Sequence, residues 1–231
     1  MVYFYQNEIR RFFDKYIELF FREYKQNLLK YKKILRERNA LLKEQNPSKK
    51  EIRIWDDFFI KYAEKVIDSR KKFVEEINLE INKYYQKIFN KKLNVKIKYD
   101  SNYKRKKFKD NLKRDLERQT TQTGPHRDKY RIIFNKKKLK VSASQGQMKS
   151  FILSFILVVV EKIMKDVSNN VFLLLDDVLA ELDSKRKKAI FNIIKNFDMQ
   201  CFFTVVDDKF FKKRESYYIK IKNGVIEGNN G

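Results

Sequence analysis

The chain has 231 residues, of which 42% are hydrophobic, and its 54 Lys and Arg against 30 Asp and Glu give a formal net charge of +24. This length is enough to bury a substantial core, and one Cys and one His exclude a metal cluster built from these residue types. The longest apolar run, 151–160, is too short to span a bilayer, and the first residues lack the pattern of a secretion signal. We therefore expect a cytoplasmic, globular protein with no membrane partner.

A net positive charge of this size attracts polyanions, because Lys and Arg release counterions from nucleic acid and are drawn to anionic membrane surfaces. DNA is the preferred partner. Two windows, 104–114 and 127–140, each hold seven Lys or Arg and one Asp. The alternative is that Lys has accumulated on solvated faces through drift in an AT-rich genome. The candidate DNA-binding residues are Lys104, Arg105, Lys106, Lys107, Lys136, Lys137 and Lys138.

In chain order, the apolar periodicity of residues 8–46 predicts one long amphipathic helix that ends before Pro47. A second periodic stretch, 55–88, predicts an antiparallel partner helix, so that the two form a helical hairpin with most of their aromatic residues in the core. Alternation with a period of two predicts a half-exposed strand over 93–99, and the basic stretch 104–118 is expected to be helical.

From residue 130 strands alternate with helices, which is typical of a largely parallel sheet. The apolar run 171–175 predicts a central strand covered on both faces. The remaining predicted elements are strand 130–134, a helix from Ser144 to Lys165, a helix capped by Asp183 and Ser184 that reaches Phe197, strand 201–206 and a hairpin around Asn223 and Gly224.

Two carboxylates, Asp176 and Asp177, follow the predicted strand 171–175 directly. Ligands of open α/β sheets gather at the carboxyl ends of the strands, so an acidic pair there suits a magnesium ion and the water beside a nucleotide phosphate. The alternative is a strand exit at which two acids are simply solvated.

A second candidate site precedes the longest apolar run. Ser144 and Gln147 have the spacing of a capping box, so a helix is predicted to start there with its free N–H groups pointing outward. Such a helix start favours phosphate, and Gly146 permits close approach of a ligand to the backbone. An ordinary capped helix is the alternative, but the acidic strand end downstream favours a phosphate site.

Five segments carry a further pattern. They are Arg-Arg-Phe-Phe-Asp (10–14), Arg-Glu-Arg-Asn-Ala-Leu-Leu (36–42), Gly-Pro-His-Arg-Asp (124–128), Ser-Gln-Gly-Gln (144–147) and the acidic run 176–186. In this order they resemble the RecF family of DNA replication and repair proteins, whose ATPase head is of the ABC type found in the SMC group. The resemblance covers nearly the whole chain and implies an α/β fold, namely half of an ABC-type ATPase head with a mainly parallel sheet flanked by helices. Residues 1–119 would form an α-helical arm lobe with a small strand, and 120–231 the C-terminal half of the head.

The resemblance also assigns roles to residues. Asp176 would hold Mg²⁺, and Asp177 would orient the attacking water as the catalytic residue. His126 is left between a catalytic base and a hydrogen-bonded structural residue. The residues implied in contacting ATP, partly across a dimer interface, are Ser144, Gln145, Gly146, Gln147 and Asp183.

The chain departs from the family at one motif. A RecF-type head needs a P-loop, G-x-x-x-x-G-K-[ST], whose amides wrap the phosphates, and none of the five glycines of this chain lies in such a pattern. The family's P-loop belongs to an N-terminal third, so we expect a RecF-like chain that lacks that third through a truncated gene, a split gene or an internal start. Whether the chain is an ATPase is therefore left open, although the family implies weak ATP hydrolysis.

The function implied is binding of single-stranded or gapped DNA and of ATP with Mg²⁺, in support of recombinase loading and the SOS response. The implied partners are RecO- and RecR-like proteins, and either a second copy in an ATP-dependent homodimer or a complementing P-loop fragment. The alternative is a truncated, non-catalytic DNA-binding remnant that cannot bind ATP alone. A transporter ATPase subunit is disfavoured by the Ala-Glu-Leu-Asp run 180–183 and by the long helical arm.

Overall fold

The computed structural model divides the chain into two compact units, Met1–Val171 and Phe172–Gly231, and each is described by itself. The predicted boundary at residues 119 and 120 lies inside the first unit, and the assignment of an arm lobe and a head half to its two sides stays a prediction. The residues that the structure describes are 6–89, 93–134, 137–138, 145–166, 171–179, 182–205, 217, 219–222 and 224–227.

The first predicted helix is two helices, α1 (Gln6–Phe20) and α2 (Tyr24–Leu41). The hydroxyl of Tyr24 donates a hydrogen bond to Asp14 Oδ1 at 2.6 Å, and both side chains are buried. In one continuous helix these residues would lie about 15 Å apart along the axis. The prediction of a single helix over 8–46 was therefore wrong, because a buried polar contact requires the chain to turn between α1 and α2.

The second long helix, α3 (Lys49–Phe89), has 41 residues and packs against α2, so the predicted pairing of two helices is confirmed. Ser48 Oγ accepts a hydrogen bond from the backbone N–H of Glu51 at 3.3 Å, which caps the start of the helix. The aromatic residues of α2 and α3 are mainly core residues, as predicted. The buried ones are Tyr24, Tyr31, Phe59, Phe73, Tyr84 and Tyr85.

Three strands of the first unit, β1 (Val95–Asp100), β2 (Lys129–Phe134) and β3 (Lys137–Lys138), form an antiparallel sheet in the order β1-β2-β3. The half-exposed strand predicted over 93–99 is confirmed, since burial alternates in β1. The predicted basic helix between β1 and β2 is two short helices, α4 (Arg105–Asp110) and α5 (Leu112–Glu117), followed by a 3₁₀ turn at Pro125–Arg127.

The last helix of the first unit, α6 (Gln145–Asp166), confirms the predicted core helix. Phe155 is fully buried and packs against rings of α1 and α3, with centroid distances of 5.2 Å to Phe12, 5.1 Å to Tyr16 and 6.3 Å to Phe73. The contacts with Tyr16 and Phe73 are edge contacts, which add to the stabilisation that area burial provides. Among the described residues, no helix has the length and apolar character needed to cross a membrane.

The second unit contains β4 (Phe172–Asp176), α7 (Ser184–Ile194), β5 (Gln200–Thr204), β6 (Lys220–Lys222) and β7 (Val225–Glu227). β4 and β5 are parallel, whereas β6 and β7 form the predicted antiparallel hairpin. Parallel pairing of the described strands is thus confined to one pair. In the first unit, β2 and β3 must pair antiparallel, because only two residues separate them in the sequence, too few for the crossover that parallel strands need.

One face of β4 is open. Leu173 and Leu175 are buried, but Phe172 is 64% and Leu174 is 74% exposed. The expectation that this strand is covered on both faces was therefore wrong for the part of the chain that the structure describes. Side chains alternate between the two faces of a strand, and here the described elements cover only one of them.

Candidate functional site

The predicted acidic strand end is held by a threonine on the neighbouring strand. Asp176 is the last residue of β4 and lies in register with Thr204, the last residue of β5. Thr204 Oγ1 donates a hydrogen bond to Asp176 Oδ1 at 2.5 Å and accepts one from the backbone N–H of Asp177 at 2.9 Å. One hydroxyl therefore positions both acidic residues. Sequence reasoning missed this role, although a polar residue at the end of the next strand was a usable signal.

Asp177 adopts a left-handed backbone conformation, with φ of 50°. Asp tolerates this region better than most residues because its short polar side chain can form local hydrogen bonds. Strained backbone of this kind recurs at functional sites. Both acids are exposed, so solvent and solutes reach their carboxylates.

The acidic pair fits a magnesium ion in its donor chemistry. Mg²⁺ takes oxygen ligands and is usually held by one or two carboxylates together with phosphate oxygens and water. The second carboxylate oxygen of Asp176 accepts no hydrogen bond from the described residues. Within the same part of the chain no group of three or more His, Cys, Asp and Glu side chains could hold a metal. A magnesium ion here would therefore take its remaining ligands from phosphate and water.

Asp183 caps α7, as predicted. Its Oδ1 accepts a hydrogen bond from the backbone N–H of Arg186 at 2.9 Å, and its Oδ2 lies 3.5 Å from Arg186 Nε. The carboxylate thus satisfies one of the free N–H groups at the helix start. The further role of Asp183 in contacting a nucleotide stays a prediction.

The predicted phosphate-binding helix start is described in part. Gly146 and Gln147 lie in the first turn of α6, and Ser150 Oγ donates a hydrogen bond to the carbonyl of Gly146 at 2.8 Å. Ser144 and the side chain of Gln145 lie outside the described residues, so the predicted capping box stays a prediction. This helix start belongs to the first unit, whereas the acidic strand end and Asp183 belong to the second.

Two of the five family-like segments meet at a buried arginine. Arg70 in α3 is 2% exposed, and its guanidinium contacts Asp14 of segment 10–14 through two nitrogens at 3.0 Å each. The same group donates to the carbonyl of Pro125 at 2.8 Å and lies 3.4 Å from Asp128 Oδ2. Segments 10–14 and 124–128 therefore share one cation, and the aspartate that closes each segment pairs with this buried charge.

Sequence reasoning missed Arg70, although a signal existed. The residue lies at apolar helical spacing between Val66 and Phe73, which are both fully buried. A cation within an apolar stripe of a helix indicates a buried ion pair rather than a solvated charge.

A second buried arginine explains the segment 36–42. The side chain of Arg38 is 0% exposed and pairs with Asp56 at 2.6 Å and with Asp115 at 2.9 Å. Its Nη1 donates to Thr121 Oγ1 at 2.6 Å, and its guanidinium lies over the ring of Phe108 at 4.9 Å. Burial raises the pKa of the Asp115 carboxyl. Arg38 thus joins α2, α3, α5 and the loop after α5.

His126 has both ring nitrogens engaged. Nε2 lies 3.1 Å from the carbonyl of Thr121, and Nδ1 lies 2.6 Å from the hydroxyl of Tyr31. A carbonyl only accepts, so Nε2 carries the proton and the tyrosine donates to Nδ1. Burial lowers the pKa of His126 to about 4, which keeps the ring neutral at pH 7. This geometry favours the structural role of His126 over a catalytic base.

Gly124 lies directly before the 3₁₀ turn that contains His126, and it has a φ of 137°. A Cβ atom there would lie 2.7 Å from the ring of Phe59 and 2.9 Å from the hydroxyl of Tyr31. The position therefore requires glycine both for its backbone conformation and for the space.

The predicted DNA-binding residues of window 104–114 do not share one surface. Arg105 forms an ion pair with Glu64 at 2.6 Å, and Arg105 and Lys109 line a shallow pocket whose walls include three acids, Asp57, Glu64 and Asp68. Lys107 lines a different cavity without acids. Lys104 and Lys106 are exposed, whereas Lys136 and the side chains of Lys137 and Lys138 lie outside the described residues. The window is thus divided between a pocket of mixed charge and a cavity whose charged side chains are all basic.

Comparison with solved structures agrees with this architecture. The chain is similar to two structures of the recombination mediator protein RecF in the RecFOR pathway, described as RecF-ATP and RecF-ATPrS, each with a TM-score of 0.79 over 97% of the chain. The sequence identities are 28% and 27%, and 63% of the RecF chain is covered. The chain therefore has the fold of half an ABC-type ATPase head with an α-helical lobe.

Sequence comparison gives the particular relatives. The chain is 34% identical to the DNA replication and repair protein RecF of Thermoanaerobacter pseudethanolicus and 32% identical to that of Clostridium perfringens, in each case over 94% of its length. It spans 63% of the length of each of these two relatives. No model of a protein family matches the chain.

Proposed function

We propose that the chain acts in DNA replication and repair as a RecF-type protein that binds single-stranded or gapped DNA and takes part in a site for ATP and Mg²⁺. In this role it supports recombinase loading and the SOS response, together with RecO- and RecR-like proteins and either a second copy or a P-loop-bearing polypeptide. The observation that carries the proposal is similarity to RecF in both sequence and fold over at least 94% of the chain.

The contribution of this chain to the nucleotide site is an oriented carboxylate. Thr204 holds Asp176 at the carboxyl end of β4, where ligands of parallel strands gather. The 231 residues contain no P-loop, so the donors that wrap a triphosphate in this family are lacking from the chain itself. In this proposal the P-loop comes from outside these 231 residues, and the acidic strand end supplies the carboxylate for the metal.

Nucleotide titration tests this proposal. Fluorescent ATP would be titrated into the full chain, with and without a separately purified P-loop segment of a RecF protein, and each titration would be repeated with EDTA. We expect binding that depends on Mg²⁺ only in the mixture. Asp176→Asn should then weaken Mg²⁺-dependent binding by at least about tenfold, and Thr204→Val by about tenfold through loss of carboxylate orientation.

Two controls make the titration specific. Asp198→Asn removes the same charge at an exposed position of the second unit and should leave binding unchanged. Thr204→Ser retains the hydroxyl and should restore the affinity that Thr204→Val loses. Absence of Mg²⁺-dependent binding in the mixture, combined with retained DNA binding, would contradict the ATP part and identify a non-catalytic DNA-binding remnant. Absence of both activities would contradict the proposed function as a whole.

A further inference from the structure

A basic cavity in the first unit has no assigned role. Its volume is about 590 Å³, and five cations line it: Arg10, Lys107, Arg114, Arg127 and Lys129. The other lining residues are polar and uncharged at neutral pH, and no Asp or Glu is among them. We call this site the basic cavity.

The cations of the basic cavity come from separate parts of the sequence. Arg10 lies in α1, Lys107 and Arg114 in α4 and α5, and Arg127 and Lys129 next to the start of β2. The cavity therefore combines the two basic windows of the sequence with the segment 10–14. Folding, rather than local composition, concentrates the charge.

Backbone carbonyls position two of these guanidinium groups without neutralising them. Arg10 Nη1 donates to the carbonyl of Asp128 at 2.6 Å, and Arg127 Nε donates to the carbonyl of Thr121 at 3.1 Å. None of the five cations forms an ion pair with a carboxylate in the described part of the chain. Burial, followed by the nearby charge of Arg70, lowers the pKa of Arg10, whereas the charges of Asp128 and Asp14 act in the opposite direction.

Two uncharged groups of the cavity also lack partners. Thr123 is 7% exposed, and its buried Oγ1 has no hydrogen-bond partner among the described residues. The buried Nδ2 of Asn111 is likewise unpaired in this part of the chain. Both residues line the basic cavity. Because buried polar atoms are nearly always hydrogen-bonded, these two donors are available to a ligand or a water that accepts hydrogen bonds.

We propose that the basic cavity binds phosphate groups of a DNA backbone. This inference rests on the proposed function in DNA repair and assigns the DNA contact to particular residues. Phosphate oxygens accept hydrogen bonds from arginine, lysine, hydroxyl and amide donors, which are the groups that the cavity presents. Such contacts position DNA without reading its bases, so binding at this cavity is independent of sequence.

A neighbouring pocket of mixed charge supplies a matched control. Arg105 and Lys109 lie in the same sequence window as Lys107 and Arg114, but their pocket contains three acids beside its four cations. The acids are Asp57, Glu64 and Asp68, and the other two cations are Lys61 and Lys65. Two double variants, Lys107→Gln with Arg114→Gln and Arg105→Gln with Lys109→Gln, therefore remove equal charge from adjacent stretches. All four side chains are exposed, so we expect both variants to fold.

The test is the affinity of the full chain for a fluorescent gapped duplex, measured by anisotropy between about 50 and 200 mM salt. The cavity variant should bind about 10–100-fold more weakly than wild type, and the slope of log K against log salt should fall by about 2. The control variant should change affinity by less than about threefold, because Arg105 is already paired with Glu64 and both cations lie in a pocket that also holds acids.

A third variant separates hydrogen bonding from general electrostatics. Thr123→Val removes the unpaired hydroxyl without changing charge and should weaken DNA binding about threefold to tenfold, the loss of one donor to a charged acceptor. Circular dichroism spectra and melting temperatures would show that each variant is folded. If DNA were bound only through the overall positive charge of the surface, Thr123→Val would bind DNA with the affinity of the wild type.

Each remaining outcome counts against a defined claim. Equal loss in the two double variants would overturn the cavity proposal and leave the DNA function intact. Failure of the wild-type chain to bind DNA would overturn both. Inorganic triphosphate serves as a competitor: if it binds in a cavity-dependent manner while DNA affinity is the same in wild type and cavity variant, the ligand is a free oligophosphate and the backbone assignment is wrong.

Discussion

Arginines occupy two kinds of site in the first unit. Arg38 and Arg70 are buried, and carboxylates pair with both of them. Arg114 and Arg127 are exposed at the basic cavity, where no described carboxylate pairs with them. The chain thus uses the same side chain in one case to join segments of the fold and in the other to present positive charge.

This contrast has a physical basis. A buried charge without a partner costs several kcal/mol, so Arg38 and Arg70 need their carboxylates and each pair joins distant segments. An exposed cation is solvated at little cost and keeps its charge for an anionic ligand. Substitution at the buried arginines should therefore change stability, and substitution at the cavity arginines should change DNA binding.

Removal of Arg70 should have the largest effect on stability. Arg70→Met leaves the carboxylates of Asp14 and Asp128 without their cation and should lower the free energy of unfolding by about 3–5 kcal/mol. Urea denaturation followed by the fluorescence of Trp55 measures this loss, because Trp55 is the single tryptophan of the chain and lies in α3. Arg114→Met is the matched control and should change stability by less than about 0.5 kcal/mol. Similar values for the two variants would contradict the distinction between buried and exposed arginines.

A positive charge alone at position 38 should not be enough to keep the full stability of the chain. Arg38→Lys keeps the positive charge but loses the planar guanidinium group. This group contacts Asp56, Asp115 and Thr121 and lies over the ring of Phe108. We expect a loss of about 2–3 kcal/mol in the same denaturation assay. Arg36→Lys, at an exposed position two residues earlier, is expected to be neutral. Full stability of Arg38→Lys would show that charge alone, rather than geometry, matters at this site.

The single histidine should make the stability of the folded chain depend on pH, and the direction follows from its lowered pKa. Burial places the pKa of His126 at about 4 in the folded chain, against 6.5 for the ordinary group. The unfolded chain then binds the extra proton, so stability is fully present above about pH 6.5 and is lost as the pH falls toward 4. Between pH 7.5 and 5 the loss should be about 2 kcal/mol relative to His126→Gln. An NMR titration of the imidazole checks the pKa directly, and a midpoint near 6.5 would contradict the buried, neutral assignment.

A smaller effect on stability is expected in the second unit, where Asp183 caps a helix instead of joining a network of buried ion pairs. Asp183→Ala should destabilise α7 by about 1 kcal/mol, because one backbone N–H at the helix start loses its acceptor. Hydrogen exchange of the α7 amides measures this loss. Ser184→Ala, at the next residue, should leave exchange unchanged, and equal effects of the two substitutions would argue against capping by Asp183.

The sequence was sufficient for elements that local pattern determines. The helix 55–88, the half-exposed strand 93–99, the core helix α6 and the cap at Asp183 were all predicted, because periodicity and capping chemistry act over a few residues. The turn between α1 and α2 was not predictable from periodicity, which continues through residues 21–23. It depends on the pairing of Tyr24 with Asp14, which is a tertiary contact.

The sequence predicted single residues of the sites, but not which residues lie together in the folded chain. Asp176 and Asp177 followed from the strand-end pattern, whereas Thr204 became visible only through its register with β4. The basic window 104–114 was evident, but its division between the basic cavity and the pocket of mixed charge depends on which way α4 faces. Arg10 joined the candidate DNA contacts only because α1 lies near the start of β2.

Arginine modification with and without DNA tests the central contrast most directly. The full chain would be treated with phenylglyoxal, free or saturated with gapped duplex, and the modified positions would be mapped by mass spectrometry. We predict that DNA protects Arg114 and Arg127, that Arg105 reacts equally in both states, and that the buried Arg38 and Arg70 react in neither. Protection of Arg105 to the same extent as Arg114 and Arg127, or no protection of any arginine, would contradict the assignment of the DNA contact to the basic cavity.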